Sequence, residues 1–365
     1  MRHLFVVMAG GLALSIWFSV AAAAEGLRIA TWNSDLSRAG PGMLLRDILK
    51  GDDTQVNAVL SGLVALDADV VLLTGVDYDA GLAALTALAA RLAEASRPYP
   101  HLYASRPNTG MQGGQDLDGD GRLGGPGDAQ GYGRFSGQGG MAVLSRLPIA
   151  IAEVRDFSQF LWRDLPDALL NESEAGQMRR LSTVGHWEVP LVLPDGSRLR
   201  LLAWHATPPV FDGPEDRNGR RNHDETAFWL HFLEGRLPMP PPQDPFVILG
   251  DANLDAVDGD GRRAAIGRLL AHPLLQDPAP RGEARQGREP GQNGDSALDT
   301  AYYERAGGLR VDYVLPSAGL RVLASGILWP ENGTKLGKTL ALASRHRPVW
   351  VDIDLPPQAT GPGPP

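Results

Sequence analysis

Five short clusters carry residue types able to do chemistry: Thr31-Trp32-Asn33, Trp204-His205, Gly250-Asp251-Ala252-Asn253, Val311-Asp312-Tyr313 and Ser344-Arg345-His346. Each puts an Asn, Asp or His where an apolar stretch of strand character ends. A lone Asp after a strand is more often a helix cap, and a lone His beside a Trp is more often a satisfied core residue. Five together, two of them with a His and with no competing nucleophile motif in the chain, favour a catalytic reading. The chain has no Cys, which excludes a thiol nucleophile, Cys-ligated zinc, iron–sulfur clusters and disulfides.

The elements that must position these residues alternate between strand and helix. Leu27 to Trp32 alternates like a strand, and Val70 to Thr74 is a continuous apolar strand of the kind buried on both faces. Residues 54–66 and 82–95 have helical spacing, and Thr226 to Leu233 reads as a helix. Met141 to Ser145 is a strand closed by Pro148. His186 to Leu193 and Arg198 to His205 are strands joined by Asp195-Gly196, a hairpin signal. Phe246 to Gly250, Val311 to Leu315 and Pro348 to Ile353 complete the strands, and Ala264 to Leu270 is a short helix. Residues 108–140 are rich in Gly and Asp and form a long loop, uncommon unless functional or disordered. No repeats occur. The pattern implies a mixed sheet with helices outside, or two such sheets packed together.

The chain has 365 residues with 34 Lys+Arg against 43 Asp+Glu, a formal net charge of −9 and 43% hydrophobic residues. These values describe a globular chain and exclude a coiled coil or a multi-span membrane protein. The acidic balance argues against a general phosphate-backbone binder but allows a site for one phosphate, and it suits hard cations. Arg2-His3, an apolar run to Val20 and Ala21 to Ala24 follow the order of a secretory signal. Residues 1–24 are therefore expected to be cleaved, residues 25–355 to form one domain, and residues 356–365 to be a disordered tail. A secreted or periplasmic monomer with no membrane span after cleavage is expected.

The ordered motifs resemble the endonuclease/exonuclease/phosphatase superfamily, the deoxyribonuclease I-like fold. Asn33 stands in its first-strand motif. Gly140 to Ile149 resembles its central Gly-x-x-x-x-Ser-Arg-x-Pro strand, and Trp204-His205 its first His. Gly250-Asp251-Ala252-Asn253 resembles its Gly-Asp-x-Asn signature, and Asp312-Tyr313 and His346-Arg347-Pro348 its last two motifs. The resemblance implies an α/β four-layer sandwich of two packed mixed β-sheets flanked by helices. It implies a phosphoric ester hydrolase, with phosphodiesters as substrates and nucleic acid within its range, in which water attacks phosphorus directly. It also implies roles. His205 contacts the scissile phosphate. Asp251 orients or deprotonates the water, and Asn253 holds a phosphate oxygen or that water. His346 is the second catalytic His, with its tautomer set by Asp312. Asn33 helps bind metal or phosphate, and Asp251 shares the metal, Mg or Mn.

Two departures change the cation chemistry. The family's metal-binding Glu at the end of the second strand is Gly75 here, and its Asp before the final His is Arg345. Three readings follow. Other carboxylates stand in, with Asp77 sharing the strand parity of Gly75 and Asp35 and Asp79 nearby. Alternatively Arg345 supplies the positive charge, since a guanidinium pairs with phosphate bidentately. Alternatively the chain is a non-catalytic, Ca-dependent binding module. Asp116, Asp118 and Asp120, with Gly121 following, match the start of a calcium loop, although position twelve is Gly127 and the next residue is Asp128. Arg220 and Arg221, in the polar stretch after His205, and Tyr132, in the long loop, are candidate substrate contacts. Arg134 is a further one. Asp77, Asp79 and the Asp116 to Asp120 run also read as solvated turns, and Arg345 as a surface or ion-paired residue.

Overall fold

The structure is a computed structural model that describes residues 26–171, 178–283 and 290–354. The expected signal (1–24) and tail (356–365) lie outside the described residues. Among the described residues no helix is long and apolar enough to cross a membrane.

Strand β1 (Leu27–Leu36) pairs in parallel with β2 (Val70–Val76), and every residue of β2 is buried. The reason lies in the alternation of side chains across a strand. Val71 and Leu73 enter a core shared with helices, while Val70 and Leu72 enter a core shared with a second sheet. With β3 (His101–Tyr103), β4 (Gly140–Ser145), β12 (Val322–Ile327) and β13 (Val349–Ile353), they form a six-stranded sheet ordered β12-β13-β1-β2-β4-β3. The second sheet has β5 (Arg155–Asp156), β6 (Gly185–Val192), β7 (Arg198–His205), β8 (Phe246–Asp251) and β11 (Asp312–Pro316), ordered β11-β8-β7-β6-β5. A hairpin of β9 (Ala301–Tyr303) and β10 (Gly307–Leu309) stands apart.

Helices Met43–Lys50, Thr54–Leu66, Ala83–Glu94 and Lys335–Ala343 cover the outer face of the first sheet, and Arg217–Leu233 and Ala264–Leu270 cover the second. The layers run helix, sheet, sheet, helix, as the motif order implies. Full burial of a Val, Leu, Ile or Phe side chain contributes roughly 1.5–3 kcal/mol. The three cores therefore hold the strands firmly enough to tolerate buried charge at one end of them.

Register decides what that end contains. In the parallel pair β7–β8, His205 lies opposite Asp251, and in the antiparallel pair β8–β11, Asp251 lies opposite Asp312. One row of the sheet thus presents His, Asp and Asp side by side. In the other sheet Thr31 of β1 pairs with Val349 of β13, so Asn33 and His346 leave that sheet at the same end.

The helix Arg217–Leu233 starts nine residues before the expected Thr226. Its first turns look like a loop because they are polar and contain Gly219. They fold as helix because tertiary partners absorb that polarity: Arg221, Asn222, Asp224 and Glu225 are all buried. Met43–Lys50 was not expected either; it buries only Leu44 and Ile48. The loop 108–140 is irregular as expected, but it is tied down by the bridges Thr109↔Gly131 and Gln112↔Ala129. The Asn108 amide also donates to the carbonyls of Ser158 and Ser182.

Candidate active site

Gly250 lets β8 approach β7 at the point where chemistry begins. A Cβ there would lie 1.9 Å from the Trp204 carbonyl oxygen. The next residue, Asp251, is fully buried. Its Oδ2 accepts from Asn33 Nδ2 at 2.8 Å and stands 3.5 Å from His205 Nε2, while its Oδ1 accepts from Asn253 N at 2.8 Å. Asn253 takes a left-handed backbone (φ 49°), which Asn tolerates better than most residues. Its Nδ2 donates to the Ala206 carbonyl at 2.9 Å. Asn253 therefore ties the turn after β8 to the residue after His205 through its side-chain amide.

His346 completes the other half. Its Nδ1 meets Asp312 Oδ2 at 2.8 Å and its Nε2 meets the Tyr303 hydroxyl at 3.1 Å. The Thr300 hydroxyl donates to Asp312 Oδ2 at 2.8 Å and accepts from the backbone N–H of Val311 and Asp312, each at 3.0 Å. Ser344 Oγ accepts from His346 N and donates to the Asn33 carbonyl at 2.7 Å. Trp32 Nε1 donates to the His346 carbonyl at 3.1 Å. Asn33 and His346 are thus locked together through backbone as well as side chains.

The two imidazoles shift in opposite directions. Burial pushes His205 down to about 3, and the charge on His346 acts the same way. Burial also opposes the charged form of His346, but Asp312 and Asp251 outweigh it and raise this group to about 9. Burial, with the neighbouring Asp312 carboxylate, holds Asp251 well above the usual carboxylate range. At neutral pH the site therefore holds one neutral imidazole, one imidazolium and a reluctant carboxylate, the unequal set that acid–base catalysis uses.

Of the residues expected from sequence, Asn33, His205, Asp251, Asp312 and His346 converge. Arg345 stands at their exposed edge, with Nε 3.4 Å from Asp35 Oδ2. Four other expectations are corrected. Asp77 does not replace the missing Glu: Gly75 bulges between paired Thr74 and Val76, which breaks the parity, and the Asp77 carboxylate accepts from Arg38 N at 2.8 Å and Gly139 N at 2.9 Å. Arg221 is buried and donates to the carbonyls of Leu181, Gln130, Arg180 and Ser182. Arg220 holds the carbonyls of Glu215 and Leu169. Both arginines are braces rather than substrate contacts. Tyr132 is 68% exposed on its loop and, among the described residues, makes no hydrogen bond to the site.

Asp116, Asp118 and Asp120 do bring carboxylate oxygens within 4.8 Å of one another. Asp116 also caps Gly119 N and Gly121 N of its own loop. Asp128 packs against the same loop, accepting from Leu117 N and Gly125 N, and is not one of the three clustered carboxylates. Sequence reasoning missed Tyr303 and Thr300. They sit in and beside a three-residue strand too short to show periodicity, and no spacing pointed to them.

The chain matches the Endonuclease/Exonuclease/phosphatase family over residues 30–346. It belongs to that family. Among solved structures, an endonuclease/exonuclease/phosphatase from Beutenbergia cavernae is 19% identical with a TM-score of 0.53, covering 92% of this chain and 72% of that one. A family protein from Leptotrichia buccalis is 14% identical with a TM-score of 0.50, covering 90% and 100%. One from Bacteroides thetaiotaomicron is 13% identical with a TM-score of 0.50, covering 90% and 97%. At these identities the likeness establishes the fold. No protein of curated description matches the chain.

Enzymes of this family typically use a divalent metal, and Asp251, Asp312 and His346 each bring one ligand atom within 4.8 Å of the others. Both ring nitrogens of His346 are bonded, whereas each Asp251 oxygen accepts one hydrogen bond and Asp312 Oδ1 has no partner, so the carboxylates alone do not decide the matter. At the outer position, Gly75 has φ 68°, and a Cβ on it would lie 2.4 Å from Asn33 Oδ1. Asp35, the nearest replacement carboxylate, already faces the Arg345 guanidinium. These residues do not fit a divalent ion, Mg or Mn, held in the family's manner. The positive charge beside the carboxylates is carried by His346 and Arg345.

Proposed function

We propose that the protein is an exported hydrolase of phosphate esters, phosphodiesters foremost, acting by direct attack of water. The observation that carries this reading is the convergence of Asn33, His205, Asp251, Asp312 and His346 from separate strand ends: hydrogen bonds join Asn33 to Asp251 and His346 to Asp312, and His205 Nε2 stands 3.5 Å from Asp251 Oδ2. Arg345, exposed at its edge, binds the phosphate; a guanidinium offers two parallel N–H bonds to two phosphate oxygens. Asp251, held by Asn33 and Asn253, takes the proton of the attacking water. Its raised affinity for a proton suits a base working near neutral pH. His205, uncharged, orients Asp251 and lines the path of the water. The imidazolium of His346, fixed by Asp312, stabilises charge that grows on the phosphate oxygens and the leaving group.

Turnover tests the reading. Residues 25–365 are to be assayed on bis-nitrophenyl phosphate, lipid phosphodiesters, inositol phosphates and oligonucleotides, beside His346→Ala. Turnover that His346→Ala abolishes, with its melting transition kept, supports the proposal. Calorimetric binding of a phosphorylated ligand with no turnover on any ester would overturn it and leave a binding module.

A further inference from the structure

We infer that Tyr303 is a catalytic residue of this site: its hydroxyl, backed by His346 and Asp312, delivers the proton to the departing oxygen of the ester. The inference rests on the phosphate-ester reading and adds to it the group that meets the leaving group.

Three observations converge on Tyr303. The first is connectivity. Asp312 Oδ2, His346 Nδ1, His346 Nε2 and the Tyr303 hydroxyl form a chain with links of 2.8 and 3.1 Å. The second is access. His346 is 2% exposed with both ring nitrogens bonded, so no substrate atom reaches its Nε2 while Tyr303 is in place. Tyr303 itself is only partly buried, whereas His346 and Asp312 behind it are buried. The third is location. The Tyr303 ring meets the His346 ring edge-on at 5.9 Å, and the Arg345 guanidinium stands 5.7 Å from its centre. The phenol ring thus neighbours both the buried imidazole and the group proposed to hold the phosphate.

The hairpin keeps it there. Ala301 bridges to His346, and Tyr302 N donates to the Arg345 carbonyl at 3.2 Å. The strand that carries Tyr303 is therefore stitched to the segment that carries its two neighbours.

The step balances. The water oxygen bonds to phosphorus as the bond from phosphorus to the leaving oxygen breaks, and the water proton passes to Asp251. The leaving oxygen takes the Tyr303 hydroxyl proton as its electron pair arrives. Tyr303 regains a proton from His346 Nε2, and His346 is left neutral, still bonded to Asp312 through Nδ1. Solvent then returns the proton from Asp251 to His346. No oxidant or further reactant enters.

Leaving-group dependence tests this, because protonation matters for a poor leaving group and hardly at all for nitrophenolate. Wild type and Tyr303→Phe are to be compared on a methyl nitrophenyl phosphodiester and on a dialkyl phosphodiester, with thermal unfolding as the control for folding. The expected result is a loss of about 10²-fold or more in kcat on the dialkyl ester and less than about threefold on the nitrophenyl ester. Equal losses on both esters, or no loss on either, would overturn the inference while the hydrolase reading stood. Wild type inactive on every ester would remove that reading and this inference with it. If Tyr303→Phe lacks a cooperative melting transition, a fluorinated tyrosine placed at 303 keeps the shape and makes the phenol more acidic. It should raise the dialkyl-ester rate and leave the nitrophenyl-ester rate unchanged; an unchanged dialkyl-ester rate would overturn the inference.

Discussion

Asp312 is the side chain that separates the two histidines. Both imidazoles are buried, and burial alone would make both neutral. His346 escapes because the Asp312 carboxylate lies 2.8 Å from its Nδ1. In Asp312→Asn, the His346 titration should therefore fall from its raised position, with Asp251 still opposing burial in part, read from ring proton shifts in NMR. The kcat should fall by about 10²–10⁴-fold, the range of a lost acid–base contribution. Stability carries the same signature. His346, raised to about 9, lies above the ordinary imidazole value of 6.5. Its contribution is fully present below pH 6.5 and is lost as pH rises through about 9. His205 has the opposite sign: it is held near 3 in the folded protein, so acidification below 6.5 progressively destabilises the fold. On the acid side Asp251 and Glu225, both raised to about 7, oppose His205, so the alkaline limb is the test. Melting temperature should fall as pH rises through about 9; in Asp312→Asn that fall should flatten, and an unchanged alkaline limb would contradict the assignment.

Two elements are shaped around the site in ways that substitutions can read. The bulge in β2 exists because Gly75 adopts φ 68°, and Asn33 Oδ1 sits where a side chain would begin. Gly75→Ala should cost about 1–2 kcal/mol for the left-handed backbone alone, seen in urea unfolding. It should also lower kcat by pushing Asn33 away from Asp251. Gly75→Glu should behave likewise without creating metal dependence; a gain of Mg-stimulated turnover in that variant would show that the site still accepts an ion. The helix Arg217–Leu233 makes the second case. Glu225 is fully buried, accepts backbone N–H bonds from Thr183 and Thr207, and is raised to about 7 by burial against the pull of Arg221. Removing Arg221 leaves that carboxyl without its compensating charge and strips donors from several carbonyls. Arg221→Leu should therefore lose about 3–5 kcal/mol of stability. An arginine that contacted substrate would instead change kcat/KM with the melting temperature unmoved.

At the scale of the whole molecule, the sequence made the strand ends legible because buried strands advertise themselves by apolar runs, and polar residues at their ends stand out. His205, Asp251, Asp312 and His346 were readable for that reason. Arg220 and Arg221 were misread because polarity in a local window says nothing about burial supplied by distant carbonyls, and Tyr303 was invisible because its strand spans only Ala301–Tyr303. Charge, by contrast, needs no structure to read, and it bears on the substrate. The chain carries a net charge of −9, so its far field repels a polyanion before any local contact forms. A small phosphodiester, with a single charge, feels this weakly. Between about 0.01 and 0.15 M ionic strength the screening length shrinks from about 30 to 8 Å. Over that range kcat/KM on an oligonucleotide should rise with salt, while kcat/KM on a small phosphodiester should stay nearly flat. A basic nucleic-acid binder shows the reverse slope, because salt weakens its release of counterions. A falling oligonucleotide rate would mean that a local basic groove near Arg345 outweighs the molecule's overall charge, and nucleic acid would then replace small esters as the favoured substrate.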